Sequence, residues 1–171
     1  MCIRDSRATV SYGYGLQVTL AQLAQAYSVL GAGGVMHPLT LLKSTRDNAL
    51  NSSSTNNVSV PFAKPAAKQV IKTSDALTIV DMMTSVTEPG GTATLAAIDG
   101  YRVAGKTGTA RRTNPKGGYY NDQYRTAFVG IAPASNPRFV VAIMVEDPRV
   151  YKFGGLVAAP VFRSCLLYTS D

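Results

Sequence analysis

Ala104-Gly105-Lys106-Thr107-Gly108-Thr109-Ala110-Arg111 sets a lysine and two threonines among small residues. It lies in a run, 101–110, rich in Tyr, Val and Thr, and two further runs of the same character follow at 125–132 and 138–145. β-Branched and aromatic residues bounded by turn residues mark strands. Residues 111–122 are polar and contain glycine, as a hairpin loop requires, and Pro133-Ala134-Ser135-Asn136-Pro137 reads as a tight turn. Parallel neighbours need a crossover of a dozen or more residues, so links this short predict three antiparallel strands.

Helical patterns flank this core. Leu16, Leu20, Leu23, Ala24, Tyr27 and Leu30 recur at steps of three and four, with Thr19 as the predicted N-cap and Gly31, Gly33 and Gly34 as the stop. Residues 38–42 read as a short extended stretch, and 46–61, rich in Asn and Ser, as a solvated loop. Thr73 or Ser74 is the predicted cap of a second helix over 75–86, with Leu77, Val80, Met83 and Val86 on its apolar face. Met82 and Met83 are expected to fill core gaps. Residues 92–98 suit a short helical turn, and Ala158-Ala159-Pro160-Val161-Phe162 begins a closing helix that the terminal residues from Cys165 are expected to interrupt. The expected fold class is α+β, an antiparallel sheet flanked by helices.

The two ends read differently from the rest. Met1-Cys2-Ile3-Arg4-Asp5-Ser6 can be encoded by ATG TGT ATA AGA GAC AG plus one base. The reverse complement contains TGT CTC TTA TAC ACA T, which reads Cys-Leu-Leu-Tyr-Thr and opens a Ser codon. Cys165-Leu166-Leu167-Tyr168-Thr169-Ser170 has that wording, so the ends look like one short DNA sequence read from opposite strands. It resembles a transposase adapter of sequencing libraries. The expected organisation is therefore an adapter-like scar at 1–6, one domain portion at 7–164 and a second scar at 165–171. Met1 need not be a start codon on this reading, and targeting or anchoring segments are expected upstream. Both cysteines fall in the scars, so neither a disulfide nor a thiolate metal site is argued.

Composition excludes several classes. With 171 residues, 46% hydrophobic and 16% charged, the chain is an ordinary globular segment of about one domain. Its net charge of +7 is scattered, with no block of like charges, so no nucleic-acid partner is expected. His37 is the only histidine, so a histidine triad or multi-histidine metal site cannot be assembled, and a plain turn role is expected for it. Glu146 and Asp147 are adjacent carboxylates, but neighbouring strand residues point to opposite faces, so turn or element-end roles are expected. The glycines at 13–15 and 31–34 lack the spacing of a nucleotide loop.

Lys106-Thr107-Gly108-Thr109 has a physical reason to be functional. Alternation puts Lys106 and Gly108 on one face and Thr107 and Thr109 on the other, unless a bulge re-aims them. An ammonium supplies a positive field for a carboxylate, hydroxyls can hydrogen-bond it, and Gly108 lets a substrate backbone approach. A strand edge with free N–H groups can pair with an extended peptide or hold an oxyanion.

Lys-Thr-Gly is a signature of penicillin-binding proteins and class A β-lactamases. The run 105–111 resembles the third signature of penicillin-binding transpeptidases. Ser11-Tyr12-Gly13-Tyr14-Gly15-Leu16 with Thr19 and Gln22-Leu23-Ala24 is similar to the family's glycine turn and following helix, although Leu20 departs from the usual proline. Residues 126–133, the Asn136-Pro137-Arg138 turn and Ala159-Pro160-Val161-Phe162 resemble the strands and last helix that follow. Among these enzymes the chain most resembles the class B, monofunctional, division-specific type of Gram-negative bacteria. The Lys-Thr-Gly-Thr-Ala-Arg run and the Ala-Pro-Ala-Ser-Asn-Pro-Arg-Phe turn carry that narrower resemblance.

The resemblance implies a partial penicillin-binding transpeptidase or serine β-lactamase-like fold and a D,D-transpeptidase that cross-links peptidoglycan stem peptides ending in D-Ala-D-Ala during septal synthesis. β-Lactams would be its inhibitors and division-machinery proteins its partners. It would sit at the periplasmic face of the inner membrane, anchored by an upstream segment, with no cofactor and no metal. Catalysis would use a serine of a Ser-x-x-Lys motif and a second Ser-x-Asn motif. Neither occurs here in the matching context, and both are expected upstream, so the chain alone is expected to be inactive. Lys106 would supply field and hydrogen bonding, and Thr107, Gly108 and Thr109 would bind substrate through its carboxylate. The Thr109 N–H would form half the oxyanion hole. A β-lactam sensor domain and a serine β-lactamase are the alternatives.

Overall fold

The computed structural model describes residues 17–40, 44–46, 59–61 and 66–169. The turn at Ser11 to Gly15 and the residues Leu16, Leu41 and Leu42 lie outside them.

The first helix, α1, runs Leu20–Gly31 and starts where its cap predicts. The Thr19 hydroxyl accepts from the Gln22 N–H at 3.2 Å, and the Gln22 side chain accepts from the Thr19 N–H at 2.9 Å, a reciprocal capping box. Gly31 still belongs to the helix; Gly33 and Gly34, at φ +63 and +89, make the stop. Four short strands follow. β1 (Val35–Met36) pairs antiparallel with β4 (Lys68–Gln69), and β2 (Ser44–Arg46) with β3 (Ser59–Pro61). The expected extended stretch at 38–42 forms no ladder in its described part, because the pairing falls one turn earlier, at Val35. The expected loop at 46–61 is bounded by a strand pair.

The second helix, α2, spans Thr73–Met82 and tightens into a 3₁₀ turn at Met83–Val86. Thr73 is already helical and the cap position is Lys72, which makes no side-chain cap, while the Ser74 hydroxyl donates to Asp75 instead. The buried face carries Ala76 and Val80, and Leu77 is 55% exposed. Met82 is 68% exposed, contrary to the core role expected of it. At 3.6 residues per turn, successive positions stand about 100° apart, so Met82 faces outward while Met83 packs against the core with Val80. A second 3₁₀ turn covers Thr94–Ala96.

The three predicted strands form one antiparallel sheet in the order β5 (Ala104–Thr113), β6 (Tyr119–Ala132), β7 (Phe139–Glu146). β5 starts three residues later than the sequence pattern, and most of the expected loop 111–122 is ladder. The turn proper is held at Asn114–Gly118, where the Asn114 N–H donates to the Gly118 carbonyl at 2.9 Å.

Alternation along the sheet sorts two cores. One face puts Ala104 and Ile131 against Val80, with Tyr27, Leu30, Met83 and Val140 packed around them. Burial pushes the Tyr27 phenol above its usual pKa. The other face puts Phe128 against Phe162 of α3 (Gly154–Thr169), ring centroids 5.0 Å apart at 75°, an edge-to-face pair. Gly130 makes that contact possible, since a Cβ there would stand 2.4 Å from the Phe162 ring. α3 begins four residues before the sequence signal and continues through Cys165–Thr169 without interruption. Leucines are strong helix formers, and Leu166 falls four positions after Phe162 on the buried face.

The end of α2 is tied to the entry of β5. The Arg102 guanidinium donates to Asp81 Oδ1 at 2.9 Å and to Thr84 Oγ1 at 3.0 Å, and the Thr87 hydroxyl donates to the Val103 carbonyl at 3.1 Å.

Candidate active site

The ladder decides which parts of β5 are accessible. The Asp147 N–H donates to the Tyr124 carbonyl at 2.8 Å, so the main chain of Tyr124 faces β7. Alternation then turns Arg125, Ala127 and Val129 towards β5, and their register partners Ala110, Gly108 and Lys106 towards β6. The main-chain groups of Gly105, Thr107 and Thr109 are left on the outer edge. The Lys106 Nζ agrees with this assignment, since it donates to the Thr107 carbonyl at 3.0 Å. Register runs without a break from Ala104 to Arg111, and the irregularity comes only beyond Arg111.

Side chains divide the other way, by face. Lys106 projects to the α2 side, at the mouth of a groove of about 780 Å³ lined by Ile79, Met82, Met83, Val86 and the Pro89–Thr92 turn. Thr107 and Thr109 project to the α3 side, into a smaller cavity of about 290 Å³ closed by Thr92, Phe153, Gly154, Gly155 and Leu156. No bulge re-aims them. The four predicted site residues therefore share one edge strand, but Lys106 opens on one cavity and Thr107 and Thr109 on another, with Thr92 lining both and Gly108 lining neither.

Two contacts order the hydroxyl row. The Thr107 hydroxyl donates to the Thr92 hydroxyl oxygen at 3.4 Å, and the Thr109 hydroxyl oxygen accepts from the Gly154 N–H at 3.3 Å. Neither partner is a sequence candidate: residues 92–98 suit only a short helical turn, and Gly154 lies in a stretch with no assigned element. The glycine pair opening the last helix was the available signal. Gly108 carries only open space on its free side, where a Cβ would meet nothing closer than Ala127 Cβ at 3.7 Å.

The carboxylates stay outside this site. Glu146 accepts from Arg125 Nε at 2.9 Å on the exposed face, and Asp147 sits at φ +49 in the following turn. The His37 carbonyl accepts from Gln25 Nε2 at 3.3 Å beside α1. Among the described residues no helix is long and apolar enough to cross a membrane.

An open strand edge flanked by an ammonium on one face and two ordered hydroxyls on the other can pair with an extended peptide and hold an anion beside it. Comparison with known proteins is in keeping with this chemistry. Residues 5–167 match the family described as Penicillin binding protein transpeptidase domain. The peptidoglycan D,D-transpeptidase FtsI of Escherichia coli K12 is 43% identical over 161 residues, which are 94% of this chain and 24% of that protein. The transpeptidase domain of penicillin-binding protein 3 from Burkholderia pseudomallei superposes with a TM-score of 0.79 at 40% identity, covering 98% of this chain and 46% of that one. Penicillin-binding protein 3 from Mycobacterium, in complex with aztreonam, gives a TM-score of 0.81 at 32% identity over 92% of this chain and 36% of that one. The chain spans about a quarter of the length of the curated relatives it matches.

Proposed function

Since this chain belongs to the family of penicillin-binding protein transpeptidase domains, we propose that it forms one wall of the active site of a class B peptidoglycan D,D-transpeptidase acting in septal cell-wall synthesis. The observation that carries the reading is the free edge of β5, where the main chain of Thr107 and Thr109 lacks a partner strand among the described residues. A stem peptide ending in D-Ala-D-Ala extends along that edge. Its terminal carboxylate takes the Thr109 hydroxyl and, once the Thr107 hydrogen turns from Thr92, the Thr107 hydroxyl too, and Gly108 lets its backbone lie close.

The chemistry starts from a serine on the remaining wall, supplied by the rest of the enzyme. Its Oγ forms a bond to the carbonyl carbon of the penultimate D-Ala, the hydroxyl proton passing to a neighbouring base. The carbonyl oxygen becomes an oxyanion, held by the Thr109 N–H and the N–H of the serine itself. Collapse breaks the C–N bond, and the terminal D-Ala leaves as an amine carrying a proton. An amine of a neighbouring stem then displaces the serine to give the cross-link. Lys106 supplies a fixed positive charge beside the oxyanion and the groove from which the serine arrives. A β-lactam enters the same track, its carboxylate on the same hydroxyls. We place residues 7–164 in the domain proper, and the full enzyme on the periplasmic face of the inner membrane with division proteins as partners.

Labelling with a fluorescent penicillin tests this. The full-length enzyme carrying this segment is expected to form a covalent adduct that survives denaturation, and the 171-residue chain alone to form none, since a wall without a nucleophile cannot be acylated. Labelling of the chain alone would place the nucleophile within it. An enzyme that labels but shows no transpeptidation of a stem-peptide pair would instead be a β-lactam sensor, and one that rapidly hydrolyses the drug a β-lactamase.

A further inference from the structure

α3 is seated on β5 more closely than a helix with side chains at its start could be. A Cβ on Gly154 would stand 2.2 Å from the Ala127 carbonyl oxygen and 2.9 Å from that of Gly108. One on Gly155 would stand 1.9 Å from the Thr92 carbonyl oxygen. Two glycines thus let the first turn of α3 wedge between the β5–β6 ladder and the loop carrying Thr92. The first N–H groups of a helix have no partner within it. The Gly154 N–H finds one across 45 residues of sequence, in the Thr109 hydroxyl oxygen at 3.3 Å.

That bond constrains the hydroxyl. A threonine hydroxyl has one hydrogen and two lone pairs. With the Gly154 N–H occupying a lone pair, the hydroxyl hydrogen cannot point at α3 and turns outward, into the cavity beside the free edge. Donation to the oxygen also polarises the O–H bond, so the hydroxyl becomes a stronger donor to an anion. We propose that Gly154 is a positioning residue for the reaction: its N–H presets the Thr109 hydroxyl as a donor to the substrate carboxylate. This rests on the transpeptidase reading above. Gly155 differs in this: it seats the loop whose Thr92 oxygen accepts from Thr107, so the Thr107 hydrogen is held by Thr92 and only Thr109 is preset as a donor.

The test has two arms, both on the full-length enzyme that carries this segment. In the first, selective ¹⁵N-glycine labelling follows hydrogen exchange at the Gly154 amide. Thr109→Val is expected to speed exchange about tenfold, and Thr109→Ser, which keeps the oxygen, to leave it within about twofold. An amide unaffected by Thr109→Val overturns the proposal, and this arm stands even where a residue-154 variant fails to fold. In the second, the rate of acylation by penicillin is measured for Gly154→Ala in two backgrounds. Alanine keeps the N–H, but its Cβ pushes the start of α3 off Ala127 and Gly108, so some loss is shared by both backgrounds; the loss is expected to be about tenfold greater with Thr109 present than in Thr109→Val, because the N–H acts through that hydroxyl. An equal loss in both backgrounds overturns it and leaves Gly154 a packing residue. If the unsubstituted enzyme takes up no penicillin, the functional reading falls and the catalytic role of Gly154 with it. The exchange arm then shows whether the hydrogen bond itself was at fault.

Discussion

Replacing Thr109 by valine separates what its hydroxyl does for the fold from what it does for the substrate. The methyl occupies nearly the volume of the hydroxyl, so β5 keeps its shape and its edge. Two hydrogen bonds are lost. The Gly154 N–H loses its acceptor at 3.3 Å, a neutral bond worth about 0.5 to 1.5 kcal/mol, which shifts the melting temperature of a chain this size by roughly 2 to 4 °C for each kcal/mol. The carboxylate of a substrate or β-lactam loses a donor, and hydrogen bonds to charged groups contribute about 1.5 to 3 kcal/mol. At about 1.4 kcal/mol per tenfold, that is roughly a ten- to hundredfold fall in the second-order rate of acylation. The assay is stopped-time labelling of the full-length enzyme with a fluorescent penicillin, run beside a thermal melt. Serine at 109 keeps the oxygen and should recover most of the rate. A labelling rate unchanged by Thr109→Val would refute the reasoning and remove this strand from the site.

Other substitutions read separate parts of the structure. Lys106→Ala should lower the acylation rate at least as much as Thr109→Val. Because the two side chains open on opposite faces of β5, the double variant should show the product of the two losses, and marked non-additivity in labelling would contradict that separation. Gly130→Ala drives a methyl to 2.4 Å from the Phe162 ring and should destabilise by about 1 to 3 kcal/mol, read by denaturant unfolding of the full-length enzyme. Arg125→Ala removes a half-exposed ion pair with Glu146 and should cost under about 1 kcal/mol in the same measurement; a larger loss would mean that the pair is structural.

What could be read from sequence follows from how local each signal is. The three strands of the sheet and α1 with its Thr19 cap each rest on contiguous residues, and each was legible. β1 and β4 were not, because two residues carry no period and their pairing joins Val35 to Gln69 across a long separation. On the face expected of the second helix, Val80 and Val86 are buried and Met83 packs against the core, and only Leu77 is misplaced, the fully buried residue being its neighbour Ala76. The thioether of Met82 suits a core, but its position on α2, two residues after the buried Val80, faces outward. In the site, the alternation of Lys106 against Thr107 and Thr109 was legible because it is a property of any strand. Thr92 and Gly154 were not, since each reaches its threonine by tertiary packing, 15 and 45 residues away.

The division of β5 by face and by edge also constrains how the rest of the enzyme must meet this wall. Both faces are covered at the start of β5, where Ala104 and Gly105 are buried, whereas Lys106, Gly108 and Thr109 are exposed. The free edge adds the main-chain groups of Thr107 and Thr109. A nucleophile aimed at a carbonyl lying on that edge can arrive in the plane of the sheet or from the groove on the Lys106 side, where about 780 Å³ is free. The α3 side holds only about 290 Å³, already ordered by Thr92 and Gly154, which suits a carboxylate and leaves little room for a helix. On the transpeptidase proposal, the larger cavity would receive the attacking wall and the smaller would fix the end of the peptide that is attacked.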